Sequence, residues 1–126
     1  MLLYGDYHTH TIYSRNNHGK GTVLENASVA ADKGLKQIAV TDHGFNHQLF
    51  GIKRKNLPQL QEDILNAKEI TGVDILLGVE SNLISLDGEV DIKEEDFQKN
   101  ILVHSVMFQV LKELNFRRFL NPVLHR

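Results

Sequence analysis

Apolar residues come in short clusters along this chain, and their spacing alternates between strand-like and helix-like runs. Residues 2–7 mix apolar and aromatic side chains and predict a first strand. A polar, glycine-containing loop follows through Gly21. Thr22-Val23-Leu24-Glu25 has the form of a capping box, in which Thr22 and Glu25 each satisfy an orphan amide. Leu24, Ala27 and Ala31 then recur at helical spacing, and Gly34 is placed to end that helix in a left-handed conformation. Residues 37–40 predict a second strand and 41–55 a loop. Asn56 is the expected N-cap of a second helix, with Pro58 in its first turn, where a missing N–H is harmless. Leu60, Ile64 and Ala67 form its apolar face, and Gly72 ends it.

The third strand, residues 74–80, is apolar almost throughout, which suggests burial on both faces, as in a parallel sheet. Residues 83–86 and 89–92 flank Asp87-Gly88, a hairpin turn signal. A short helix over 93–99 and a fourth strand over 101–103 follow. Val106, Val110, Leu111 and Leu114 fit a last helix. The order βαβαβ with short connections implies an α/β fold with right-handed crossovers.

Composition narrows the chemistry. The chain has 126 residues, of which 41% are hydrophobic and 24% charged, an ordinary balance for one globular domain. A complete eight-stranded α/β barrel takes roughly 250 residues, so only part of one fits. Cysteine is absent, which leaves His, Asp, Glu or water to hold any metal. This suits a reducing compartment, and the first residues are too soon acidic for a signal peptide, so a cytoplasmic location is expected. No apolar run approaches the ~20 residues that span a bilayer, and no membrane association is expected. Net charge is −2, but residues 99–126 carry +4 through Lys99, Lys112, Arg117, Arg118 and Arg126 against Glu113. A basic tail can meet nucleic acid. Because these cations do not form one run, a solvated helix face is the better reading.

Candidate chemistry collects behind the predicted strands. His8-Thr9-His10 follows the first, and alternation along an extended segment turns both imidazoles the same way. Thr41-Asp42-His43 follows the second, and Glu80 closes the third, where an unpaired carboxylate after Leu76-Leu77-Gly78-Val79 would be costly. Ligands in parallel α/β folds bind beyond the carboxyl ends of strands, and three successive strands deliver a His or Glu there. Asp6 and Asp42 each stand near a histidine and read either as acceptors for a ligand imidazole N–H or as plain loop carboxylates. Taken alone, His18 is a solvated loop histidine and His47 is ambiguous. Lys53-Arg54-Lys55 reads as a phosphate-binding cluster or as a solvated loop.

The stretches His8-Thr9-His10-Thr11, Ser14, His18-Gly19, Ala30-Ala31-Asp32-Lys33-Gly34-Leu35, Thr41-Asp42-His43-Gly44 and Gly78-Val79-Glu80 together resemble the start of the PHP (polymerase and histidinol phosphatase) family. Leu86-Asp87-Gly88-Glu89-Val90-Asp91 also looks like the segment after that glutamate in bacterial, histidinol-phosphatase-like members. The resemblance covers about residues 4–99. It implies the N-terminal part of a distorted (βα)7 barrel and hydrolysis of phosphoric esters. By the same resemblance His8 and His10 hold one metal, Glu80 bridges two, and His18 with His43 serves a third. Zinc, manganese or iron suits such nitrogen-rich ligation, and a small phosphorylated molecule is the expected substrate.

After Lys99 the match stops. Phe108 stands where the family carries a further metal-binding histidine, His104 is out of register, and His125 is at the extreme terminus. The division is therefore 1–99, PHP-like, and 100–126, a divergent basic tail that reads as a shifted frame or a truncated product. Half a barrel would expose a strand edge open to self-association, and its activity would be impaired. Two other readings stay open: an amidohydrolase-like barrel, which also begins with His-x-His, and a non-catalytic metal-binding module.

Overall fold

The computed structural model describes residues 3–97 and, for the backbone alone, β-strand 102–107. In chain order the elements are β1 (Gly5–Thr9), α1 (Val23–Asp32), β2 (Gln37–Val40), a 3-10 turn (Arg54–Asn56), α2 (Leu57–Thr71), β3 (Asp74–Asn82), α3 (Glu94–Phe97) and β4 (Leu102–Met107). The strands form one sheet in the order β1-β2-β3-β4, every neighbouring pair parallel. This is the α/β arrangement that the alternation of strand and helix patterns predicts.

One apolar core joins the elements. Val23, Ala27 and Ala30 of α1 meet Leu57, Leu60, Ile64 and Ala67 of α2 over Ile38, Val40, Ile75 and Val79 of the sheet. Thr22 caps α1 through the full capping box. Gly34 and Gly72, at φ 75° and 72°, reverse the chain after α1 and α2. The buried stripe of α1 is one position out of phase with the expected Leu24 and Ala31. Leu24 is 39% exposed, because the cap fixes the helix start at Val23 and turns Leu24 outward. Asn56 is not an N-cap. The preceding 3-10 turn runs straight into α2, so Asn56 is already helical (φ −88°, ψ −8°) and its side chain caps nothing.

At the strand ends the expected boundaries shift in ways that matter for chemistry. β1 begins later than expected and takes in His8 and Thr9. β3 runs two residues past Glu80, so the carboxylate stands within paired backbone. The Asp87-Gly88 turn forms with Gly88 at φ 92°, but the hairpin is reduced to one antiparallel bridge, Leu83 to Val90. Val106 belongs to β4 and not to a helix. Val110, Leu111 and Leu114 lie outside the described residues. Among the described residues, no helix is long and apolar enough to cross a membrane.

Candidate metal centre

Threonines lock the first two strand ends together. Thr41 N–H donates to the Thr9 carbonyl at 2.8 Å, Thr9 N–H to Thr41 Oγ1 at 3.1 Å, and Thr9 Oγ1 to the Ala39 carbonyl at 2.7 Å. With Thr9 directed at β2, His8 and His10 share the other side, and their Nε2 atoms lie 3.1 Å apart. One step further across the sheet, Glu80 N–H donates to Asp42 O (3.0 Å) and Gly44 N–H to Glu80 O (2.8 Å), so His43 and Glu80 stand side by side. His18 reaches the same point from the loop after β1, where Asn16 and Asn17 both adopt left-handed backbone (φ 56° and 54°) just before it. Such a pair of non-glycine residues is uncommon and marks an imposed local conformation.

The convergence is tight. Glu80 Oε2 lies 3.3 Å from His8 Nε2, 3.3 Å from His10 Nε2 and 3.5 Å from His43 Nδ1. His43 Nε2 lies 3.0 Å from His18 Nε2. Two groups of three donors result, His8/His10/Glu80 and His10/His18/His43, each with ligand atoms within 4.8 Å of one another. Neighbouring donors around a tetrahedral zinc would be about 3.3 Å apart, given Zn–N near 2.0–2.1 Å. Glu80 and His43 are buried, whereas the His8 side chain is 47% exposed.

Burial keeps two of the imidazoles neutral. Burial, aided by the charges that His18 and His8 would carry, lowers the His10 pKa to about 4. Burial, with His47 and the other site histidines, lowers that of His43 to about 3. Both rings are neutral near pH 7, the form that offers a lone pair to a cation. His10 Nδ1 and His43 Nδ1 are buried without a hydrogen-bond partner, and such groups ordinarily cost about 1–3 kcal/mol each. An imidazole cluster around one carboxylate, with orphaned ring nitrogens, fits a divalent cation.

The remaining expected residues take other places. Asp42 is fully buried and accepts from Thr11 N (2.7 Å), Thr11 Oγ1 (2.7 Å) and Ser14 Oγ (2.6 Å). It therefore anchors the loop between His10 and His18 and does not hold an imidazole. Burial pushes its carboxyl up, against the hydrogen bonds from Ser14 and Thr11. Asp6 accepts the backbone N–H of His8 at 3.1 Å. His47 is buried outside both donor groups; its Nδ1 accepts from Leu49 N (3.3 Å) and Phe50 N (3.0 Å), and its ring lies 4.4 Å from that of His43. Arg54 pairs with the buried Asp96 and lies 3.9 Å over the Phe45 ring, a structural use, while Lys53 and Lys55 are exposed.

Several supporting residues escape sequence reasoning. Arg15 donates to the carbonyls of Gly51, His47 and Gln48, tying the two site loops together. Phe50 stacks on His18 at 4.2 Å. Asp91 closes the far side of the site loop. Each follows from contacts distant in sequence, and only the Asp87-Gly88 turn hinted that Asp91 would return toward β3. In β4 the pairing steps from Val79–Val103 to Glu80–Ser105, which leaves His104 as the extra backbone residue beside Glu80. Its side chain, and all of His125, lie outside the described residues.

Parallel strands thus gather histidines and a buried glutamate at their carboxyl ends, in an α/β domain whose donor groups could hold a metal. The PHP domain family matches residues 6–120, and the chain belongs to it. That match runs past Lys99. The chain is 38% identical over 99 residues to a probable phosphatase of Photobacterium profundum, covering 75% of this chain and 36% of that protein. It is 34% identical over 134 aligned residues to a probable phosphatase of a Thermoanaerobacter species, covering 98% of this chain and 50% of that protein. A probable phosphatase of Caldanaerobacter subterraneus is 37% identical over 104 residues, covering 79% and 37%. The chain thus spans half or less of the length of these relatives. No solved structure matches.

Proposed function

We propose that this chain carries the first half of the metal centre of a phosphoesterase whose full domain closes into a (βα)7 barrel. The observation that carries this reading is one carboxylate oxygen, Glu80 Oε2, within 3.5 Å of nitrogens from three histidines. Family membership and relatives named probable phosphatases support the reaction class. A bound divalent ion, zinc, manganese or iron, lowers the pKa of a water and offsets phosphate charge. The chain's own residues hold and shape the site. His8, His10 and Glu80 form one grip, and His18 with His43, shared with His10, forms the other. Glu80 supplies negative charge between them. His43 and Phe50 wall off the inner side. The substrate class is a small phosphorylated molecule.

Five protein donors serve one complete site and part of a second, since a catalytic metal takes about three protein ligands and an open position. This favours a second reading, in which the chain alone binds metal but turns over weakly. The sheet agrees with it: among the described residues β1 is an edge strand, and Leu3 and Tyr4, just before it, are each 65% exposed. That edge is where self-association or the rest of a barrel would add a strand. The test is turnover of an aryl phosphate and of histidinol phosphate by the 126-residue chain with zinc, manganese or iron. Weak or absent turnover with retained metal binding is expected. Robust turnover by the monomer would overturn the second reading; a chain that binds no metal would overturn the first.

A further inference from the structure

The least expected feature near the metal centre is a second fully used buried carboxylate. Asp91 is 3% exposed. Its Oδ1 accepts from Ser81 Oγ (2.9 Å) and Asn82 N (2.8 Å), and its Oδ2 accepts from Asn82 Nδ2 (2.6 Å) and Asn46 N (3.0 Å). Burying a carboxylate is costly unless its lone pairs are filled, and here four donors fill them. None of them is a candidate ligand. Three come from Ser81 and Asn82, which directly follow Glu80, and one from Asn46 in the loop that follows His43.

We propose that Asp91 is a positioning residue of the metal centre, fastening the loop after His43 to the end of β3 and so fixing the separation of His43 and Glu80. Backbone pairing alone joins those two ligands directly, through Glu80 N to Asp42 O and Gly44 N to Glu80 O. Beyond Gly44 the chain leaves the sheet and returns only where Ile52 N meets the His43 carbonyl at 3.0 Å. Asp91 holds the outgoing turn of that loop at Asn46. It also packs against Gly44 so closely that a Cβ there would collide with both carboxylate oxygens. A glycine is therefore required at 44 by the approach of Asp91, and the two residues act as one joint.

This inference rests on the metal reading above, and its test separates the two. Cobalt(II) is titrated into the full chain, into Asp91→Asn and into Ile64→Val, with affinity and visible absorption recorded and urea midpoints taken in parallel. Ile64 is a buried residue of α2 far along the core, so its variant controls for lost stability alone. In Asp91→Asn one acceptor becomes a donor, so either the Asn46 or the Asn82 amide loses its partner. Changes to a group bonded directly to a ligand weaken metal binding by about 10–100-fold, and Asp91, bonded one residue beyond Glu80, should fall at the lower end of that range. We expect at least a tenfold loss with an altered absorption band in Asp91→Asn, and neither in Ile64→Val. Gly44→Ala presses on the same carboxylate from the loop side and gives the reading where Asp91→Asn does not fold. In the double variant the losses should be less than multiplicative, as for residues sharing one contact. Wild-type affinity and spectrum in Asp91→Asn or Gly44→Ala, or an equal loss in Ile64→Val, would overturn the positioning role. A wild-type chain that binds no cobalt would overturn the metal reading and this inference with it.

Discussion

His43 and His8 approach the same carboxylate oxygen from opposite kinds of place. His43 is 1% exposed, stands in paired backbone beside Glu80, and is walled by the rings of His47 and Phe50. His8 is on the edge strand, and its side chain is 47% exposed. The inner half of the centre is thus built by the core, while the outer half is open. The difference teaches that side chains converging on one carboxylate can be held very differently by the fold, one by the core and one at a sheet edge.

The largest effect should come from the atom both halves share. Glu80→Gln keeps the shape but removes the charge, and metal affinity should fall by more than the ~100-fold seen for outer-shell changes; calorimetric titration measures this. Retained affinity would mean that the histidines alone hold the ion. The inner and outer histidines should then part in stability. His43→Ala should cost the metal-free fold roughly 1–3 kcal/mol, as buried substitutions do, and His8→Ala less than about 0.5 kcal/mol, as exposed ones do. Equal urea midpoints would erase the contrast.

Acid should act on the inner half too. The unfolded chain protonates both rings near the ordinary value of 6.5, whereas the folded chain resists until about 4 at His10 and about 3 at His43. Between those limits the unfolded chain holds more protons, so stability of the metal-free chain falls as pH drops below 6.5 and continues to fall toward 3. Urea midpoints at descending pH measure the slope, which should flatten in His43→Ala. A slope unchanged by that substitution would place the acid sensitivity elsewhere.

The smallest effects lie away from the site. Thr22→Ala, which breaks the capping box, should cost about 1 kcal/mol. Asn56→Ala should cost less than about 0.5 kcal/mol, because Asn56 caps nothing.

The pair Thr22 and Asn56 shows what a sequence can and cannot reveal. Both have the right residue type before a helix, but capping also needs extended backbone, and the 3-10 turn that denies it to Asn56 is set by tertiary packing. The convergence of His8, His10, His43 and Glu80 was legible because they stand at the ends of strands, and parallel pairing brings such ends together. Asp42 was legible as a residue of the site but not in its task, since its partners Thr11 and Ser14 are brought to it by a loop that sequence periodicity does not describe. Asp91, ten residues past Ser81, depends on a hairpin return whose register no local pattern fixes.

On the proposed reading, the strand-end histidines and Glu80 hold divalent metal. The most direct test is elemental analysis of the purified chain beside a His8→Ala/His10→Ala double variant and Glu80→Gln, each confirmed folded. The account predicts a tightly held divalent ion in the wild-type chain and a clear loss in both variants. A wild-type chain without metal, or variants with unchanged stoichiometry, would contradict it.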